Sequence, residues 1–300
     1  MLVTGAAKRL GRALALDLGR HGYDVAVHYR HSHADAQATV AELRAAGASA
    51  HAFQADLSIE AECRALVPTV VARFKRLDAV VNNASTFEHD DPASFSVAAM
   101  ETHWRANTAP AVLLAQALHT HLSGCTATGC VVNLLDQKLW NPNPDYFSYT
   151  LSKAALQAAT VMLALALAPR VRVCGVAPGV TLASGPMSES EFESARTMTP
   201  LQRSSTPDDI ARAVRFLIES PAMTGTTLLV DGGQHLSAQP RDVLYLARAE
   251  GSDLAPALTP ALSQRESTGP APALTPALSQ EESTGPTLAL TPTLSQRERE

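Results

Sequence analysis

Residues 1–240 predict a doubly wound parallel sheet of seven strands with helices on both faces. Short β-rich runs alternate with longer helical patterns along this stretch, the signature of strands joined by helical crossovers. The chain has 300 residues, 46% of them hydrophobic, enough for one large core. Residues 255–300 set themselves apart by repeating, which leaves a body of single-domain size.

The strands are expected at Met1–Thr4, Asp24–Tyr29, Ala50–Gln54, Asp78–Asn82, Gly129–Leu135, Val171–Val176 and Thr226–Val230. Helices are expected at Arg9–His21, Ala34–Ala46, Ile59–Phe74, Val97–Leu122, Ser148–Ala168 and Pro207–Glu219. Thr206 before Pro207 is a start signal, an N-cap hydroxyl followed by proline at the first helical position. The order matches a Rossmann-type sheet, whose ligands sit at the C-terminal strand ends where strand order reverses. Only Met1, Leu2 and Val3 precede the Thr4-Gly5 turn, so the first strand is short or begins upstream.

The tail reads APALTPALSQRESTGP from Ala255, a near copy from Ala271 and a partial copy from Thr287. Prolines at fixed positions, Pro260, Pro276 and Pro292, oppose a helical solenoid, and the segment is read as a disordered extension after a connection at 241–254. The formal charge is −5, so neither a nucleic-acid nor a membrane-surface role has electrostatic support. Four cysteines without a C-x-x-C pair, and an N-terminus without a secretory pattern, suit a cytoplasmic protein. His119 and His121 fall on different faces of a helix, which argues against a metal.

Thr4-Gly5-Ala6-Ala7-Lys8-Arg9-Leu10-Gly11-Arg12 follows the first strand and opens the first helix. Small residues there let backbone approach a pyrophosphate, and the helix start supplies unpaired N–H groups. This points to a dinucleotide held by Gly5, Arg9, Leu10 and Gly11. The second strand ends in Tyr29-Arg30-His31-Ser32 without an acid, which favours a 2′-phosphate and hence NADPH. Asp56 and Leu57, then Asn83, Ala84 and Ser85, occupy the next strand ends and can wrap the adenine side.

Tyr149 and Lys153 lie four apart, on one face of a helix, where a cation can favour the phenolate of a proton-shuttling tyrosine. With the glycine turn, Asp56, Asn82-Asn83-Ala84, Asn107, Pro178-Gly179 and Asp231-Gly232-Gly233, the chain resembles the short-chain dehydrogenase/reductase family over residues 1–236. The resemblance implies that Tyr149 is the general acid/base, that Lys153 binds nicotinamide ribose and tunes it, and that Asn107 anchors a water relay.

Two departures narrow the resemblance. Asp136 stands where most members carry serine, and Arg9 replaces the middle glycine of the turn. An ionised carboxylate only accepts hydrogen bonds and would repel a developing alkoxide, whereas a carboxyl group suits a ring nitrogen that must gain a proton. Both departures, with Asn83-Ala84-Ser85 and Phe87, are similar to the pteridine reductases and the bacterial dihydromonapterin and dihydrofolate reductases. That likeness implies a flat pterin against Phe87, with Ser85, Asp136 and Tyr149 contacting it. Arg9 then reaches phosphate, with or without the ligand, Trp140–Pro144 is expected to shape the pocket, and Tyr146 either matches an aromatic of those enzymes or anchors the helix start. Val180–Thr199 is a polar substrate loop.

Ala154–Ala168 is apolar all round, is too short to span a bilayer, and is expected to pair with a second subunit in a homodimer or homotetramer. The leading expectation is reduction of a pterin or folate C=N bond. A ketone reductase using the same tyrosine and lysine, and a non-catalytic NADPH-binding regulator, are the alternatives.

Overall fold

The computed structural model describes residues 1–183 and 187–251. The repetitive tail and Ser184 of the substrate loop lie outside the described residues. Seven parallel strands run β1 Leu2–Val3, β2 Val25–Tyr29, β3 Ala50–Gln54, β4 Ala79–Asn82, β5 Gly129–Leu134, β6 Val171–Pro178 and β7 Thr227–Val230. Their order is β3-β2-β1-β4-β5-β6-β7, reversing between β1 and β4. The sheet is doubly wound, as the sequence predicts.

Alternate residues of each strand enter different cores, because both faces of a parallel sheet are covered. Val3, Val27, Val81, Val132 and Cys174 meet α1 (Arg9–Arg20), α2 (His33–Ala45) and α8 (Pro207–Glu219) on one face. Leu2, Ala26, Val80, Val131 and Val173 meet α3 (Glu60–Phe74), α5 (Ala109–Ser123) and α6 (Phe147–Ala166) on the other. β1 has two residues at the centre of the sheet and still pairs on both edges. Thr206 caps α8 as expected, in a capping box with Asp209.

Three local expectations are corrected. The helix expected at Val97–Leu122 is α4 (Val97–His103), a π-turn (Trp104–Thr108) and α5. Pro110, at the start of α5, has no N–H to continue the upstream ladder. Within the polar loop Val180–Thr199 lies α7 (Glu189–Thr197), whose capping box joins Ser188 to Glu191. The connection 241–254 carries α9 (Val243–Gly251), which buries Val243 and Ala247 against Ala195 of α7. Among the described residues no helix is long and apolar enough to cross a membrane.

Candidate active site

Two cavities adjoin along the C-terminal strand ends, sharing Arg9, Leu10, Asn83 and Ser85 as walls. The first, about 430 Å³, is lined by the glycine turn, Arg30, Asp56, Leu57 and Ala84. Its floor is stitched by side chains bonded to backbone. The Asn83 and Ala84 amides donate to Thr4 Oγ1 at 2.9 and 3.0 Å, and Asn83 Nδ2 donates to the Thr4 carbonyl at 2.9 Å. The Gly5 amide donates to His28 Nδ1 at 3.0 Å while His28 Nε2 donates to the Ala55 carbonyl at 3.0 Å. Those two bonds require a neutral ring, and burial pushes the His28 pKa down to about 4.

The residues fit a dinucleotide. A Cβ on Gly11 would meet the Gly5 carbonyl and the Asn83 amide group well inside contact distance, so the turn admits only glycine there. Helix α1 has Lys8 at its N-cap, with no side-chain capping bond and no acid in its first turn, leaving its N–H groups for an anion. Arg9 holds a left-handed φ of +51°, a conformation glycine favours, and its guanidinium donates to the Ala183 carbonyl. Arg30 lies 4.0 Å from Asp56, whose carboxyl is held below its ordinary range by the Ser58 hydroxyl. Ser32 starts α2 without a side-chain capping bond.

Not every expected residue reaches this cavity. Tyr29 turns into the core, its hydroxyl 2.7 Å from His33 Nδ1, and neither His31 nor Ser32 lines the wall. Lys8 does line it, and Thr4 ties the turn to Asn83; the sequence alone assigns neither a role. Lys8 could have been read from its place at the helix start.

The second cavity, about 320 Å³, gathers Phe87, Asp136, Gln137, Lys138, Tyr149, Lys153, Pro178 and Gly179. Tyr149 donates its hydroxyl to Asp136 Oδ2 at 2.8 Å, and Asp136 Oδ1 accepts the Lys138 amide at 2.9 Å. Lys153 Nζ donates to the Leu134 carbonyl at 2.7 Å and stands 5.7 Å from the Tyr149 ring centre. Burial raises the Asp136 pKa, and burial followed by the Asp136 carboxylate raises that of Tyr149 well above its ordinary value. Burial lowers Lys153 to about 8, with Asp136 opposing. The partner within hydrogen-bond reach of the phenol is an acid.

Asn107 sits on the π-turn and ties three segments together. It accepts from the Thr86 amide (2.8 Å) and Ser85 hydroxyl (3.1 Å), and its Nδ2 donates to Ser152 Oγ at 2.9 Å. Phe87 stacks on Tyr146, with centres 4.0 Å apart and planes 15° apart, and meets Tyr149 edge-on at 4.6 Å. Gly179 is needed for close approach, since a Cβ would lie 2.9 Å from Asp231. Residues 140–144, expected to shape the pocket, do not line it; Gln137 and Lys138 do. Among the described residues no three His, Cys, Asp or Glu gather as metal ligands.

The enoyl-(acyl carrier protein) reductase family profile matches residues 5–235. Pteridine reductase 1 of Leishmania tarentolae is 34% identical over 277 residues, covering 79% of this chain and 96% of that protein. The chain belongs to the short-chain dehydrogenase/reductase family. FolM alternative dihydrofolate reductase 1 of Brucella suis, solved with NADP, superposes with a TM-score of 0.76 at 39% identity, over 79% of this chain and 95% of that one. A 3-oxoacyl-[acyl-carrier-protein] reductase of Staphylococcus aureus is 31% identical over 253 residues, covering 78% and 97%. The chain is thus similar both to pteridine and dihydrofolate reductases and to a 3-oxoacyl reductase.

Proposed function

We propose that this chain is an NADPH-dependent reductase of a C=N bond in a reduced pterin or folate ring. The observation that carries the reading is the hydrogen-bonded pair of Tyr149 and Asp136, two buried acids whose pKa values are both raised. A buried phenol donor resting on a carboxyl group suits a ring nitrogen that must gain a proton, and a serine at 136 would provide no such acid.

Gly5, Arg9, Leu10, Gly11, Asn83 and Ala84 would hold the cofactor's phosphates and ribose, with Arg30 near the 2′-phosphate and Lys153 at the nicotinamide ribose. When bound, NADPH supplies the hydride that adds to the substrate's ring carbon. Tyr149 and Asp136 deliver the balancing proton to the nitrogen, and Asn107 keeps the Ser85–Thr86 wall against α6. Phe87, backed by Tyr146, offers a flat apolar wall to a planar ring. The 39% likeness to a FolM protein solved with NADP and the 34% likeness to a pteridine reductase support this reading.

NADPH oxidation assayed with dihydrobiopterin, dihydromonapterin and dihydrofolate beside a panel of ketones tests it; turnover of ketones alone defeats it. The likeness to a 3-oxoacyl reductase keeps a carbonyl substrate as the second reading. Asp136→Ser separates them, because a carbonyl enzyme keeps or gains activity. On α6, Leu156, Thr160 and Ala164 are buried while Val161, Met162 and Leu165 are exposed, the last by 85%. A second copy of the chain covers that face in this proposal, and light scattering after size exclusion checks it, a monomer being the adverse result.

A further inference from the structure

Lys138 is 4% exposed, and burying an ammonium demands partners. Its Nζ donates to the Asp145 carbonyl at 2.6 Å and to Asp242 Oδ2 at 3.1 Å. Its backbone amide is the donor that holds Asp136 Oδ1. One residue therefore grips the catalytic carboxyl with its main chain and the far C-terminal segment with its side chain.

That segment is fastened at several points. Arg241 Nε and Nη2 both reach Asp145, with bonds of 2.8–3.0 Å, and the Asp242 amide donates to Asp145 Oδ2 at 2.6 Å. The other oxygen of Asp242 accepts the Leu244 amide at 3.1 Å, at the start of α9. Asp242 and Val243 then enter the wall of the cavity that contains Asp136. Beyond them α9 packs on α7, and Arg248 pairs with Glu191 at 2.8 Å.

We propose that Lys138 and Asp242 form a positioning pair that docks residues 241–251 as a wall of the substrate cavity and fixes the turn bearing Asp136. A buried ion pair adds little stability over a well-packed apolar pair, so its placement two residues from the catalytic acid is the informative part. The groups facing Asp136 are Tyr149 and Lys153 of α6, Lys138 of its own turn, and Asp242, which acts on the adjacent Tyr149. Losing the Lys138 cation removes an influence that favours the carboxylate.

The inference rests on the proposed function for the identity of the substrate and for the catalytic role of Asp136. Full-length Asp242→Asn, Lys138→Met and Lys138→Arg are compared with the wild type on whichever substrate it reduces. Asp242→Asn and Lys138→Met are expected to raise KM about tenfold, with the Kd for NADPH unchanged within about twofold. In Lys138→Met the pH limb set by Asp136 moves upward by about one unit, and Lys138→Arg restores it. Hydrogen exchange supplies a reading that needs no turnover: in Asp242→Asn, protection falls together at 137–140 and 243–251 while the sheet keeps its own. Loss at 243–251 alone, or an unmoved pH limb in Lys138→Met, overturns the proposal. If Lys138→Met does not fold, Asp242→Asn and Lys138→Arg carry the comparison. Failure of the wild type on every dihydropterin defeats the functional reading and leaves the exchange result standing.

Discussion

Around the glycine turn the wall is drawn from neighbouring strand ends, and a few small residues set how closely the backbone approaches. Around Asp136 it consists of side chains from distant parts of the chain, Phe87, Lys138, Tyr149, Met187 and Asp242 among them. A backbone cradle depends on torsion angles and close approach, so it tolerates changes at many side chains and few at its glycines. A side-chain pocket depends on charge pairing and aromatic packing, so single substitutions can change its chemistry while the cradle persists.

The largest expected effect tests that separation directly. Tyr149→Phe lowers kcat about 10³-fold and Asp136→Asn about 10²-fold, while fluorescence titration shows unchanged NADPH affinity. Parallel loss of affinity would break the contrast between the two cavities. Acid should strike the cradle through His28. Its folded pKa of about 4 lies below the ordinary 6.5, so the unfolded chain takes up the proton first as pH falls. Stability is full above 6.5 and declines by about 3 kcal/mol down to pH 4, as denaturant titrations would record. His28→Gln, with one donor and one acceptor, flattens that slope.

Gly11→Ala forces a Cβ against the Gly5 carbonyl. Calorimetry should register about 1–3 kcal/mol of lost stability, with NADPH affinity at least about tenfold weaker. The smallest effect belongs to the other cavity, where Gln137 Oε1 is buried without a partner. Gln137→Met removes that unpaired acceptor and leaves stability equal or raised by about 1 kcal/mol, read as melting temperature.

The cradle was legible because its signals are local. Strand, small-residue turn and helix follow one another within twelve residues, and Arg30 follows its strand directly. Tyr149 and Lys153 were legible for the same reason. The hydrogen bond from Tyr149 to Asp136, thirteen residues earlier, lies outside the i+4 spacing that pairs Tyr149 with Lys153. Helix α7 had a readable sign in Ser188-x-x-Glu191. The Lys138–Asp242 pair and the Asp145–Arg241 pair join residues 104 and 96 apart, and no local pattern announces a partner at that distance.

The π-turn at Trp104–Thr108 puts the chain's angular phase under constraint. Each residue of an α-helix advances the side-chain direction by about 100°. The π-turn takes up one residue more than an α-turn, so removing one would let a regular helix run through while changing the direction of the side chains within the turn. Asn107 could then no longer face Thr86 and Ser152 together. A single-residue deletion at this point is therefore a larger insult than any substitution of the exposed Trp104 or Arg105 beside it.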